Sequence, residues 1–462
     1  MTVWEGLARK SFDNRYEFLG FLGQGSWSEV VRAFDRVRSS EVAVKLLKDR
    51  AGHDVLADRF FRSEFRAMAN IDHPNVVRVL DFGQSPELIR YYTMEIVPGK
   101  VLSEFAGKLR GKRFEDVFEG LCRALWAVHV KGCLHCDVKP DNVMLVVSKR
   151  GKHEPVLMDF GLSIDLSSRS ETAVRGTPLY AAPEMLAGRE VDARADIYSL
   201  GMTLLEVLAG KLPFKGLSFS SILSAKASND TIRESLASTP KHYRDCIARM
   251  TAPDPRDRFP SCLTLLNTMA AKSDLDTDLP SPPPVQRHLL RPDLIGRERQ
   301  LEAITRRIDD REKSKGGCIL IQGPRKSGKT RLLEEVRYHA QLSGARVIAT
   351  TDHPGSTRGP LLSSTLKSAV ALRKPNKKGQ ICCEMLVHEV QKLSGQRPVV
   401  LLIDDIHKLE TNDAKLWAVL AHRAARDGYL IVSSMPVRAY PKGSDIAPHL
   451  DALDDEGGFV RL

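Results

Sequence analysis

Apolar positions in the first hundred residues come in short runs of β type, at residues 16–20, 30–34 and 42–47, with one helical stretch near residues 60–69. From residue 114 to 272 the period changes. Apolar side chains recur there at helical spacing, as at Leu200, Leu204, Leu205 and Leu208, which predicts a mainly helical body. The pattern then breaks: residues 273–278 are acidic and polar, and residues 279–284 read Leu-Pro-Ser-Pro-Pro-Pro. Such a stretch is a semi-rigid linker with no means of burying a core. Beyond it strands and helices alternate, with strands at residues 317–322, 398–403, 429–433 and 459–462 and a helix from Lys329. That alternation predicts a parallel sheet flanked by helices. There is no internal repeat, which sets aside solenoids and propellers.

A length of 462 residues suits two or three domains. An apolar share of 42% beside a charged share of 27% is that of an ordinary globular chain. The formal charge of +11 raises the question of nucleic acid, but the basic residues are spread along the chain rather than gathered in a tail. No nucleic-acid role is expected. The start lacks an apolar leader and no run of about 18 apolar residues occurs, so a cytoplasmic chain with reduced thiols is expected. Of the eight cysteines, Cys133 and Cys136 have the C-x-x-C spacing; with no second such pair, a zinc site is not expected.

The chemistry starts at residues 22–30, Leu-Gly-Gln-Gly-Ser-Trp-Ser-Glu-Val. Gly23 and Gly25 between apolar runs allow a tight hairpin whose backbone N–H groups approach a phosphate; alone, the segment reads as well as a plain turn. Lys45 ends the apolar strand Val42-Ala43-Val44, and a helical Glu64 could hold its ammonium toward phosphate oxygens. The decisive segment is His135-Cys136-Asp137-Val138-Lys139-Pro140-Asp141-Asn142, followed by Asp159-Phe160-Gly161. Phosphoryl transfer needs a carboxylate near the attacking hydroxyl, a cation over the phosphate and hard oxygen ligands for Mg²⁺. All are here, in a workable order.

With these motifs the chain resembles the eukaryotic-type protein kinase family over roughly residues 16–270. The resemblance implies an α+β bilobal fold that binds ATP between its lobes and transfers phosphate to Ser or Thr of protein substrates. Gly23, Gly25 and Ser28 would cover the phosphates; Val30, Ala43 and Met144 would enclose the adenine behind Met94, and Leu22 would also contact ATP. Lys45 would hold the α/β-phosphates and pair with Glu64. Asp137 would take the hydroxyl proton, Lys139 would neutralise the γ-phosphate, and Asn142 and Asp159 would hold Mg²⁺. Gly176-Thr177 and Ala182-Pro183-Glu184 would close the activation segment, with Arg258 as partner of Glu184 and Asp196 tying down the catalytic loop. Lys139 and Thr177 resemble the serine/threonine branch. Cys136 stands where the family carries an arginine that binds a phosphate on the activation loop. Activity independent of phosphorylation at Ser167, Ser168, Ser170 or Thr172 is therefore expected. The other reading of Cys136, beside Cys133, is an oxidation switch.

A second site begins at Gly323-Pro324-Arg325-Lys326-Ser327-Gly328-Lys329-Thr330, a P-loop pattern set between an apolar strand and a helix. Its backbone would wrap a β-phosphate at the helix N-terminus, Lys329 would neutralise the β/γ-phosphates and Thr330 would ligate Mg²⁺. The apolar residues 399–403 lead into Asp404 and Asp405, placed for the Mg²⁺ shell and for polarising a water. With Ile295-Gly296-Arg297-Glu298, Leu301 and Asp405-Ile406-His407, residues 294–462 resemble the AAA-like ATPase module of signal-transducing regulators. The lid and arginine sensor of that module are not found, so nucleotide binding is expected ahead of efficient hydrolysis, on a module cut short at its C-terminus. The expected organisation is an extension at 1–15, a kinase domain at 16–272 with lobes 16–97 and 98–272, a linker at 273–291 and a partial α/β P-loop NTPase domain at 292–462. A nucleotide-switched scaffold with little phosphotransfer is the alternative from another class.

Overall fold

The computed structural model describes residues 15–25, 28–50, 61–62, 65, 68–69, 71–85, 89–148, 151–160, 164–165, 177–214, 216–228, 230–237, 239, 241–270, 296–309, 316–324, 326–350, 362–369, 383–395, 397–437, 446–455 and 459–461. The chain divides into two compact units, Met1–His53 with Asp81–Thr93 and Pro292–Leu462, and Asp54–Leu80 with Met94–Arg291.

Strands β1 (Tyr16–Gln24), β2 (Ser28–Asp35), β3 (Ser40–Arg50), β4 (Val79–Gln84) and β5 (Ile89–Met94) form a sheet in the order β1-β2-β3-β5-β4. The first two pairings are antiparallel. Val42, Val44 and Leu46 are buried on one face of β3, and Ala43, Lys45 and Leu47 on the other. A strand covered on both sides reads as a continuous apolar run, as this one does. The register of β1 slips between Phe18 and Gly20 and again between Phe21 and Gly23. Such bulges bend a strand. β1 runs four residues beyond the end expected from its apolar run, to Gln24.

In the helical unit, β6 (Lys100–Val101), β8 (Val143–Val147) and β9 (His153–Leu157) form one small sheet, and β7 (Cys133–Leu134) pairs with β10 (Ile164–Asp165). The loop between β7 and β8 is held over the helix Ala193–Ala209. That helix opens with Asp192 accepting from the Arg194 N–H and closes at Gly210, whose φ of 83° is left-handed. Its four expected apolar positions, Leu200, Leu204, Leu205 and Leu208, are all buried. The buried hydroxyls of Ser199 and Thr203 bond back to backbone carbonyls, so the helix core leaves them satisfied.

The last region is a parallel sheet of β11 (Gly317–Gly323), β12 (Arg346–Ala349), β13 (Val399–Ile403), β14 (Leu430–Pro436) and β15 (Phe459–Arg461), in the order β12-β13-β14-β11-β15. Alternate residues feed two separate cores. Ile319, Ile321, Val400, Leu402 and Val432 pack with the helices Glu298–Asp309 and Lys329–Leu342, through Ile304, Leu332 and Val336. Cys318, Leu320, Leu401, Ile403 and Ile431 pack with Leu386, Val390, Leu416 and Trp417 on the other face. Helices on both faces of a parallel sheet place loops for a ligand at the carboxyl ends of its strands. Among the described residues no helix is long and apolar enough to cross a membrane.

Candidate functional sites

Asp196 organises the loop after β7. Its fully buried carboxylate accepts from the backbone N–H of His135 at 2.9 Å and of Cys136 at 2.8 Å, and lies 2.8 Å from His129 Nε2. Those bonds hold Cys136 at a φ of 64°. A non-glycine residue in that region is strained, and persists only where its surroundings over-determine it. Of the non-glycine residues with positive φ among those described, four belong to the two candidate sites: Cys136, Asp159, Lys326 and Asp405. His135 Nε2 lies 3.0 Å from the Met158 carbonyl, and the His135 ring packs against Phe160 with centroids 4.5 Å apart and the planes tilted by 50°. His135 and Phe160 therefore join the loop to the Asp159 segment.

Sequence reasoning passed over His129, whose signal lies in the fold rather than in local pattern. Burial alone would lower its pKa, but the bond to Asp196 prevails and raises it to about 10. Burial likewise opposes ionisation of Asp196, yet the His129 bond holds that carboxyl below its usual range. The sign of the pH effect follows. Below pH about 6.5 both folded and unfolded chains carry the His129 proton, and above it only the folded chain does. The stabilisation is therefore complete below pH about 6.5 and is lost as the pH climbs toward about 10, at up to about 1.4 kcal/mol per unit. Lys226, with its pKa lowered to about 7, contributes a slope of opposite sign, so the comparison has to be made against a variant. Urea unfolding from pH about 6.5 to about 9 should show His129→Gln losing less stability than wild type; equal losses would refute the assignment.

The Asp137 carboxylate is the hub of the loop. Its Oδ1 accepts from the Thr177 hydroxyl at 2.8 Å and the Thr177 N–H at 3.1 Å. Its Oδ2 accepts from Lys139 Nζ at 2.7 Å and Asn142 Nδ2 at 3.0 Å. Lys139 also donates to Thr177 Oγ1 at 2.9 Å, closing the triangle. Asn142 donates to the Asp137 carbonyl, and its own carbonyl accepts from Met158 N–H at 2.8 Å, one residue before Asp159. The Asn142 amide oxygen and the Asp159 carboxylate are hard donors of the kind Mg²⁺ takes. They fit that ion.

Farther along, Glu184 and Arg258 form a buried bidentate pair at 2.6 and 2.8 Å. Arg258 also donates to the carbonyls of Ala252, Arg194 and Pro253.

On the strand sheet, Val30 faces Lys45 across β2 and β3, and Ala43 lies two residues from Lys45 on the same face. The Lys45 ammonium is 5.6 Å from the centre of the Tyr92 ring. Gly23 pairs with Val30, and Gly25 N–H donates to the Ser28 carbonyl at 2.8 Å, closing the hairpin. A Cβ on Gly23 would meet nothing within 4 Å, so the space beside it is open to a ligand. Leu22 is exposed. In the helical unit Met94 is buried and Met144 half-buried. Glu64, Trp27, Gly161, Gly176 and the four hydroxyl residues from Ser167 to Thr172 lie outside the described residues.

At the P-loop, Gly328 (φ 86°) caps the helix Lys329–Leu342. Lys329 Nζ reaches back to the carbonyls of Gly323 and Pro324 at 3.0 and 2.8 Å. Thr330 Oγ1 donates to Asp404 Oδ2 at 2.6 Å. A hydroxyl and a carboxylate side by side fit a Mg²⁺ shell. Ser434, buried on β14 and not found by sequence reasoning, hydrogen-bonds Asp404 Oδ1 and accepts from Asp405 N–H at 3.1 Å. Two serines in an otherwise apolar strand were its signal, since a buried hydroxyl needs a partner. Asp405 lines the same cleft as Lys329 and Thr330, and its carboxylate takes Lys408 Nζ at 2.5 Å.

Residues 16–269 match the protein kinase domain family, and residues 293–433 match the AAA ATPase domain family. The kinase match covers more than half of the chain, and the chain belongs to the protein kinase family. It is similar to the serine/threonine-protein kinase PrkC of Bacillus subtilis, at 32% identity over 55% of this chain and 40% of that protein. It is also similar to the DNA damage-responsive serine/threonine-protein kinase RqkA of Deinococcus radiodurans, at 40% identity over 45% of this chain and 32% of that protein. Against the serine/threonine-protein kinase PknB of Mycobacterium tuberculosis the identity is 38% over 47% of this chain and 36% of that protein. The chain thus spans well under half the length of these relatives.

Proposed function

We propose that this protein transfers the γ-phosphate of ATP to Ser and Thr hydroxyls of protein substrates in the cytoplasm, and that its P-loop domain binds a second ATP. The observation that carries the first part is the Asp137 hub, with Lys139, Asn142 and Thr177 gathered on one carboxylate. The acceptor oxygen forms a bond to the γ-phosphorus while the bond to the β–γ bridging oxygen breaks, and ADP leaves. Asp137 orients the hydroxyl and takes its proton. Lys139, already beside Asp137, offsets charge on the transferring group. Leu22, Gly23, Gly25, Ser28, Val30, Ala43, Lys45, Met94 and Met144 are the proposed ATP contacts, with Glu64 as partner of Lys45. Asn142 and Asp159 would hold Mg²⁺ in the kinase site, and Thr330 and Asp404 in the P-loop site; the ion screens phosphate charge when bound. Gly323, Gly328 and Lys329 would cradle the second phosphate chain. The pairing of Asp405 with Lys408 weighs against its polarising a water in this state. The domain boundaries proposed are 16–272 and 292–462, joined by the proline linker.

The test is transfer of labelled γ-phosphate from Mg-ATP to the protein itself and to casein. Label on Ser or Thr in wild type and none in Asp137→Ala is expected. ATP bound without transfer in either would favour the scaffold instead. Phosphate release by Lys329→Ala against Asp159→Ala separates the two nucleotide sites.

Cys136 is 1% exposed, which argues against an oxidation switch, because a thiol sealed from solvent is inert. With a thiol in place of a guanidinium, this position offers no cation to an activation-segment phosphate. Changing Ser167, Ser168, Ser170 and Thr172 together to Ala should leave transfer to casein within about threefold of wild type. A folded quadruple variant without activity would overturn that.

A further inference from the structure

Lys226 is a buried amine that the reading above does not use. It sits on the helix Phe219–Ser228 with none of its surface exposed. Its Nζ donates to the carbonyls of Leu179 at 3.0 Å and Ala181 at 2.7 Å. The ammonium also lies 4.9 Å from the centre of the Tyr198 ring and 5.4 Å from that of Phe214. The nearby carboxylate, Glu184, is occupied bidentately by Arg258. Sealing an ammonium among carbonyls and rings carries a heavy desolvation penalty that an apolar side chain would avoid. Burial, then the Arg258 charge, lower its pKa to about 7 against the opposing pull of Glu184.

The placement of the two carbonyls explains the arrangement. Thr177 bonds Asp137 through both its N–H and its hydroxyl. The chain then runs through Leu179 and Ala181 toward Glu184. Between them the Tyr180 hydroxyl donates to Glu206 at 2.6 Å. Three bonds thus pin residues 179–181 immediately beyond the point where an acceptor hydroxyl meets Asp137. Tyr180 and Ala181 are buried while Thr177, Pro178 and Leu179 are half-buried, so these bonds set the position of the accessible residues adjoining Asp137.

We propose that Lys226 is a positioning residue for the protein substrate, fixing the buried backbone of residues 180–181 that supports the half-exposed residues Thr177–Leu179, which receive the polypeptide next to the phosphoacceptor. The inference rests on the kinase reading. It makes a split in the kinetics: acceptor binding depends on Lys226, and ATP binding does not.

The experiment uses the full chain, Mg-ATP and casein, with Lys226→Met, which removes both donors, and Lys226→Gln, which keeps an uncharged one. In Lys226→Met the KM for casein should rise about tenfold or more, while the KM for ATP and acceptor-free ATP hydrolysis stay within about twofold of wild type. Lys226→Gln should fall between the two. Amide exchange at residues 179–182 should quicken in the same order, independently of turnover. An unchanged casein KM, or a parallel fall in acceptor-free hydrolysis, overturns the inference. If Lys226→Met does not fold, Lys226→Gln carries the comparison; if neither folds, the lysine is structural only and the inference fails. Wild-type protein that transfers no phosphate sinks the kinase reading itself, and this inference with it.

Discussion

Replacing Asp137 with Asn should slow phosphate transfer to casein about 10²–10⁴-fold, the range lost with a general base, while ATP still binds. The size follows from the hydrogen bonds as well as from the lost base. Both carboxylate oxygens are acceptors: Oδ1 for the Thr177 N–H and hydroxyl, Oδ2 for Lys139 and Asn142. An amide group has one acceptor oxygen and one NH₂. In one orientation the NH₂ meets Lys139 and Asn142, both donors; flipped, it meets the Thr177 N–H, again a donor. Either way the hub is broken on one side. Thr177→Val makes a graded comparison, since it removes the hydroxyl and leaves the N–H in place, and it should cost about tenfold, the effect of one hydrogen bond of about 1.4 kcal/mol. Initial rates with labelled ATP, set beside ATP affinity by titration, read both. A folded Asp137→Asn protein that kept more than about a tenth of the wild-type rate would remove Asp137 from the chemistry.

What the sequence could and could not reveal follows from the range of the forces involved. The parallel sheet was legible because its strands are buried on both faces, so residues 399–403 carry no polar residue at all. β12 was not, since Arg346–Ala349 is only four residues long and two of them are only half-buried. The catalytic loop was legible because its acid, cation and amide lie within six residues. His129, Lys226 and Ser434 were not, because each acts on a residue at least 30 positions away: Asp196, Leu179 and Ala181, and Asp404. Local periodicity marks His129 and Lys226 as polar residues on helices and says nothing about what they meet. Asp405 is the converse case. Its place after the strand suggested a role on water, and the same pattern gave no sign of the Lys408 contact that its carboxylate makes in the P-loop cleft. Nearest-neighbour pattern finds a motif; it does not find the orientation of each side chain within it.

Replacing Arg258 with Met should destabilise the kinase domain by about 3–5 kcal/mol, the usual effect of removing one partner from a buried ion pair. The guanidinium is 1% exposed and makes two bonds to Glu184 and three to the carbonyls of Ala252, Arg194 and Pro253. Removing it strands a buried carboxylate and takes one donor from each of three carbonyls. For a domain of this size each kcal/mol moves the midpoint by about 2–4 °C, so a fall of about 6–20 °C is expected. Glu184→Gln leaves every carbonyl bond in place and an amide oxygen for one guanidinium N–H, and it should cost less, about 1–3 kcal/mol. The double variant Glu184→Met/Arg258→Met identifies the cause. If the stranded charge dominates, the second substitution recovers part of the loss, and the coupling measured by urea unfolding is large. If the carbonyl bonds dominate, the two changes simply add. An Arg258→Met protein within about 1 kcal/mol of wild type would mean that Glu184 finds another donor, and that the pair does not anchor the segment running from Asp137 through Thr177 and Ala181 to Glu184.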